Sequence, residues 1–205
     1  MLLLRGILLW LCLATTTMAS DDRLYPNSPD PDAGFLRVIA PGQSFVVVAG
    51  KTRRLNAQGI TDYLILPEGQ TEVSWAEGTA QIDVPAGQHL LVMTSATGDA
   101  QVWQEMISNQ PGKADVTLVN VSDVPDLVLS VPAAKADVFN AIAPASAATR
   151  SLRAPLTLDF EFRSQGRSLA SLTQVTLKRK AGVTFVLVGE NGDYTAFVSP
   201  NRYEK

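Results

Sequence analysis

Short apolar runs, rich in β-branched and aromatic residues, recur along this chain: FLRVIA, SFVVVA, DYLILP, TEVSWAE, AQIDVP, HLLVMTS and AQVWQEM. Between them lie APGQ, AGKTR, PEGQ, EGT, PAGQ and ATGD, segments of turn chemistry in which Gly supplies positive φ angles. In TEVSWAE, Val73 and Trp75 share one face while Glu72, Ser74 and Ala76 share the other, the period of a half-buried strand. HLLVM is apolar on both faces and predicts a central strand. No sustained 3.6-residue apolar period with capping residues marks a helix.

After NQPGK (109–113), the candidate linker, the same succession begins again. ADVTLVNVS matches GFLRVIA, DLVLSVP matches SFVVVAG, and TLDFEFRSQG matches TEVSWAEG. The later part of the second copy, TQVTLKRKAGVTFVLVGENGDYTAF, matches TAQIDVPAGQHLLVMTSATGDAQVW. Leu158, Phe160 and Phe162 fall on one face, Asp159 and Glu161 on the other. The offset between copies grows from about 80 residues at the first strand to 95 at the Gly87/Gly182 pair. That growth predicts an insertion in the second copy around KADVFNAIAPASAATRSLRAP, an Ala- and Ser-rich stretch that reads as a short helix or a long loop.

About seven short strands per copy predict an all-β chain of two tandem antiparallel β-sandwiches, immunoglobulin-like or jelly-roll-like, joined by a short linker. Periodicity alone leaves a barrel open. The expected divisions are a signal peptide at 1–19, an extended Pro/Asp-rich lead-in at 20–34, and sandwiches at 35–110 and 114–200. The lead-in SDDRLYPNSPDPDAG suits neither helix nor strand.

The first residues change the picture of where the protein works. Arg5 precedes the apolar run GILLWLCLA, and TTTMA leads to an abrupt polar change at SDD. This is the pattern of a secretory signal cleaved after Ala19, with an apolar run shorter than the roughly 20 residues of a membrane-spanning helix. The expected fate is export through the membrane, and the resemblance given below implies the periplasm as its destination. Cys12 lies inside the signal, so the mature chain is expected to have no disulfide and no cysteine nucleophile. Charge is uneven: residues 20–113 carry six basic and eleven acidic side chains, residues 114–205 ten and nine. The imbalance can orient a partner but is too mild for a nucleic-acid surface.

The search for reactive constellations returns little. His89 is the one histidine, at the start of a strand, and no GxSxG elbow or GDS-type nucleophile accompanies it. DDRLYPNSPDPD lacks the loop pattern of a calcium site, and GENGD reads as a hairpin turn. No catalytic, cofactor or metal residue is assigned. Candidate contacts with a partner or a glycan are Trp103, the run Lys178-Arg179-Lys180, and Tyr25 in the lead-in. Trp75 alternates with Val73 and belongs to the core.

The residues also resemble a known family. Leu24, Tyr25 and Pro26, followed by Phe35-Leu36-Arg37-Val38, are similar to the opening of AlgF, the periplasmic accessory protein of alginate O-acetylation. VTLVNVSD (116–123), LRAPLTLDF and GRSLASLTQVTLKRKAGVTFVLVGEN continue the likeness through the second half. The chain departs from the family pattern at Ala40-Pro41-Gly42 and at Gly182-Val183. The resemblance implies two β-sandwich domains and a non-enzymatic adaptor for acetylation of an exopolysaccharide, alginate first. Its partners would be periplasmic acetyltransferases and a membrane-bound O-acyltransferase of the same pathway. The alternatives are a carbohydrate-binding module that grips the polymer directly, or the corresponding accessory protein for acetylated cellulose.

Overall fold

The computed structural model describes residues 30–95 and 97–204. The expected signal peptide, its cleavage at Ala19, Cys12 and Tyr25 lie outside the described residues.

Eight strands form the first sandwich: β1 (Ala33–Ile39), β2 (Phe45–Val48), β3 (Lys51–Arg54), β4 (Leu64–Pro67), β5 (Gly69–Trp75), β6 (Gly78–Val84), β7 (His89–Thr94) and β8 (Ala100–Glu105). Eight more form the second: β9 (Lys113–Ser122), β10 (Leu127–Val131), β11 (Ala136–Ile142), β12 (Ser146–Arg153), β13 (Leu156–Ser164), β14 (Arg167–Leu177), β15 (Gly182–Glu190) and β16 (Asp193–Pro200). The first sandwich pairs a β4-β1-β7-β8 sheet with a β3-β2-β5-β6 sheet; the second pairs β12-β9-β15-β16 with β11-β10-β13-β14. Strand for strand the two orders are the same, so the repeat read in the sequence is a repeat of topology. Neighbours run antiparallel except for one pair in each sandwich, β1 with β7 and β9 with β15, which are parallel.

Each copy thus has one strand more than the periodicity counted, and the reason is local. In AGKTR the turn is only Ala49-Gly50, whose φ angles of 51° and 72° suit a two-residue hairpin. Lys51 is thereby free to pair with Val48 and Arg54 with Phe45. The charged strand β3 sits at a sheet edge, where such side chains stay solvated and discourage edge-to-edge aggregation. Asn191-Gly192, with φ of 56° and 92°, makes the same kind of turn between β15 and β16.

The stretch read as a short helix or a loop is neither. After a 3-10 turn at Pro132–Ala134 the chain forms β11 and β12. Low strand propensity is overridden by tertiary pairing. β12 lies along β9 from Ser146↔Asn120 to Arg153↔Lys113. Its Ala148 packs on the second core and its Ala147 on the layer between the sandwiches. Nor does one insertion account for the growing offset. β10 to β14 run 5, 7, 8, 9 and 11 residues where their counterparts β2 to β6 run 4, 4, 4, 7 and 7.

Three apolar layers hold the molecule together. Leu36, Val38, Val46, Val73, Trp75, Ile82 and Val92 fill the first sandwich. Leu118, Leu127, Leu129, Phe160, Phe162 and Phe185 fill the second, with the Phe160 and Phe185 rings 4.5 Å apart. The third layer lies between the sandwiches. Ile39, Leu91 and Met93 on one sheet meet Val119 and Val186 on the other, closed by Ile60. The two sheets containing β1 and β9 are therefore inner sheets, buried on both faces, which explains why HLLVM carries no polar side.

Truncating Phe185, fully buried among Phe160 and Phe162, is expected to cost about 3–5 kcal/mol of stability. Urea unfolding of Phe185→Ala checks this; a cost below about 1 kcal/mol would show that the ring does not organise the second core.

Candidate docking surfaces

The apolar layer between the inner sheets is interrupted by a buried polar cluster. On β1, Phe35, Arg37 and Ile39 alternate toward the neighbouring sandwich, and the Arg37 guanidinium is only 2% exposed. Glu105, the last residue of β8, answers it: Arg37 Nε donates to Glu105 Oε2 at 2.8 Å, and Nη2 donates to Oε1. Tyr63 donates its hydroxyl to Glu105 Oε2 at 2.6 Å, and Thr117 of the second sandwich donates to Oε1 at 2.9 Å. Arg37 Nη1 reaches Asn201 Oδ1 at 2.9 Å, and Thr184 donates to the same oxygen. Two charges taken out of water are tolerable only with this degree of satisfaction. Burial alone would lower the Arg37 pKa, but the charge and hydrogen bond of Glu105, together with Tyr63 and Tyr203, outweigh it and hold the guanidinium protonated above its usual range. Burial also drives the Tyr63 phenol well above its usual range, against the opposing pull of Arg37.

The chain end returns to this junction. Tyr63 N–H donates to Arg202 O, and Glu204 N–H donates to Tyr63 O, each at 2.8 Å. Glu204 also pairs with Arg53 of β3. Residues past β16 therefore strap the second sandwich onto the first. Tyr203 closes an aromatic cluster: His89 stacks on Phe35 at 4.4 Å, and its Nε2 lies 2.8 Å from the Tyr203 hydroxyl. The partner of the one histidine is thus a phenol, and its other face lies on a ring. That arrangement ties the residues past β16 to the first sandwich. Among the described residues no group of three or more His, Cys, Asp or Glu side chains could hold a metal ion.

The sequence-predicted contacts separate. Trp103 stands on β8, 37% exposed, and its Nε1 donates to Ala145 O across the seam at 3.1 Å. Its ring is therefore part of the seam. Trp75 is buried in the first core. Lys178, Arg179 and Lys180 form the exposed turn between β14 and β15, and Arg179 Nε donates to Ala154 O at 3.1 Å. Ala145 and Ala154 flank opposite ends of the eight-residue β12, so Trp103 and the cationic turn stand about 20 Å or more apart. They are not one site. At the Trp103 end a cleft of about 520 Å³ opens between the sandwiches, lined by Gln43, Glu77, Asp99 and Gln101 on one side and Ser122 and Ala145 on the other. Its two carboxylates make it a poor seat for a polyanion.

Sequence reasoning singled out the run at 178–180 but not what joins it. Lys180 N–H donates to Lys113 O at 2.9 Å, and Lys113 pairs with Arg153 across β9 and β12. The Arg37–Glu105 junction was also missed. A signal was present, since Arg37 occupies an alternating position within an otherwise apolar strand.

Two expectations follow. Glu105→Ala leaves a buried guanidinium uncompensated and should cost about 3–5 kcal/mol, whereas Arg37→Met with Glu105→Leu should cost far less; urea unfolding of the single and double variants checks this, and equal losses would refute it. The second concerns pH. Burial lowers the His89 pKa, aided by Arg37 and opposed by Glu105 and Asp115. The folded state therefore binds fewer protons there than the unfolded chain, and stability is complete above pH 6.5 and declines as pH falls from there. The melting temperature should drop more between pH 7.5 and 5 in the wild type than in His89→Gln; parallel profiles would exclude His89 as the source.

A family model described as alginate O-acetyl transferase AlgF matches residues 8–184. Among solved structures, the CS-Rosetta structures of the C-terminal domain of AlgF from P. aeruginosa are similar to this chain at 25% identity, with a TM-score of 0.39. That match covers 43% of this chain and 98% of the other. No curated protein matches.

Proposed function

The chain belongs to the AlgF family, whose description concerns alginate O-acetylation, and from that premise we propose that it is a non-enzymatic periplasmic adaptor. In this reading it holds a membrane-bound O-acyltransferase and the periplasmic acetyltransferases of one pathway in a productive arrangement on an exopolysaccharide, alginate first.

The observation that carries the reading is the buried junction. Arg37, Glu105 and Thr117, together with the apolar layer around Leu91 and Val186, weld the sandwiches face to face. An acidic half and a more basic half are thereby held at a fixed orientation. A rigid body with oppositely charged ends can bind two partners and set the geometry between them. Strand β6 of the first sandwich, and β11 and β14 of the second, end their sheets, and such edges accept a partner strand by backbone pairing. His89, engaged with Phe35 and Tyr203, fits a structural role.

The test uses the mature chain and purified periplasmic acetyltransferase of its pathway. A 1:1 complex with Kd of about 10 μM or tighter, together with no acetyl transfer by the chain alone, is the expected outcome. Acetylation of polyuronate by the isolated chain would overturn the adaptor reading. Saturable polymer binding lost in Trp103→Ala would replace it with a carbohydrate-binding module.

A further inference from the structure

The end of the second sandwich next to the linker gathers cations that the sequence scatters. Lys113 opens β9, Arg153 closes β12 opposite it, and Lys178, Arg179 and Lys180 fill the turn between β14 and β15. Two backbone bonds and one from a side chain tie these segments into one surface: Lys180 N–H to Lys113 O, Ala154 N–H to Gly112 O, and Arg179 Nε to Ala154 O. Among the described residues none of the five makes an ion pair. The nearby carboxylate, Asp115, is spent on the linker. It accepts from the backbone N–H groups of Ser108 and Asn109 and from the hydroxyls of Ser108 and Ser151.

This arrangement works against the stability of the free protein. Lys113 and Arg153 are like charges directly across a ladder, which is destabilising. Lys180 holds a φ of 54°, in a region where Gly or Asn costs less. An exposed leucine sits within the cations: Leu156, 40% exposed, pairs with Leu177 just before Lys178. Five cations without ion pairs around a part-exposed leucine make a surface that an oppositely charged partner would complement.

We propose that this cationic end, centred on Leu156, is the docking platform for a protein segment that carries several carboxylates around an apolar residue. The proposal rests on the adaptor reading and names the face that one partner uses. Two features of the molecule favour a protein over other anions. β1 begins at the same end of the neighbouring sandwich, and Asp30, Asp32 and Glu68 gather there: Ala33 N–H donates to Asp30 O and Glu68 N–H to Asp32 O. A flat anionic membrane meeting the cations would also meet these carboxylates, whereas a protein segment can engage one half alone. A uronate polymer would answer the charges and leave Leu156 without an apolar partner.

The experiment compares the wild-type chain with Lys178→Glu/Arg179→Glu/Lys180→Glu and with a control reversal on β3, Lys51→Glu/Arg54→Glu. Circular dichroism and melting temperature confirm that each is folded. Binding to the purified acetyltransferase and the purified membrane-bound O-acyltransferase is followed by biolayer interferometry from 50 to 500 mM NaCl, beside oligomannuronate and phosphatidylglycerol vesicles. The triple reversal should slow association with one of the two proteins at least tenfold at low salt and flatten its salt dependence, with the control within twofold of wild type. Leu156→Ser should speed dissociation from that same protein. Unchanged binding of the triple variant to both proteins would overturn the platform and leave the adaptor standing. Failure of the wild type to bind either protein would overturn both. A charge-dependent signal with oligomannuronate or vesicles alone would reassign the surface to that anion and overturn the proposal.

Discussion

One carboxylate governs the architecture. Glu105 ends the last strand of the first sandwich, immediately before the linker, and accepts from Arg37, Tyr63 and Thr117. Those three donors come from β1, from the residue before β4 and from β9, so a single group fixes two strands of one domain and the central strand of the other. The buried guanidinium has no other carboxylate among the described residues. Arg37 and Glu105 both belong to the first sandwich, and Thr117 and Asn201 from the second side complete their hydrogen bonds. Buried ion pairs contribute little net stability compared with a well-packed apolar contact, but they penalise alternatives in which either charge loses its partner. Sliding or swinging one sandwich against the other would keep that pair together but strip it of Thr117 and Asn201, leaving its remaining hydrogen bonds unmade. The junction accordingly specifies an orientation, and the apolar layer of Ile39, Leu91, Met93, Val119 and Val186 provides the attraction.

The duplication has a physical consequence at this junction. Each copy contains one parallel strand pair, β1 with β7 and β9 with β15, at the centre of its inner sheet. Sheets with parallel central strands are usually covered on both faces. Here each inner sheet is covered on one face by its own outer sheet and on the other by the second copy. Neither sandwich buries its inner sheet alone. The C-terminal strap, which brings Tyr203 beside Tyr63 at 5.3 Å, closes the one side of the junction where Phe35 and His89 would otherwise stand open.

Legibility in the sequence followed the strength of local signals. Val73 and Trp75, or Phe160 and Phe162, announce a buried face by alternation, and the structure buries all four. The run Lys51–Arg54 announced a turn because charge and glycine usually do, yet only Ala49 and Gly50 turn. The Ala-rich stretch before Arg153 carried no strand signal of its own. It is a strand because β9 offers it a ladder and because small side chains fit between two closely packed sheets. The cationic surface was half legible. Lys178, Arg179 and Lys180 are adjacent in sequence, but Lys113 and Arg153 reach them only through strand register.

By itself the sequence determined the all-β class and the two tandem copies, because period-2 alternation and turn residues act over distances of a few positions. It also restricted the chemistry, since the number and kinds of reactive side chains are countable without coordinates. Only the tertiary structure decided that the copies stack through their inner sheets, that Arg37 and Glu105 meet 68 positions apart, and that Trp103 belongs to the seam. Such pairings depend on which faces remain uncovered once each sandwich has closed, and no local pattern encodes that remainder.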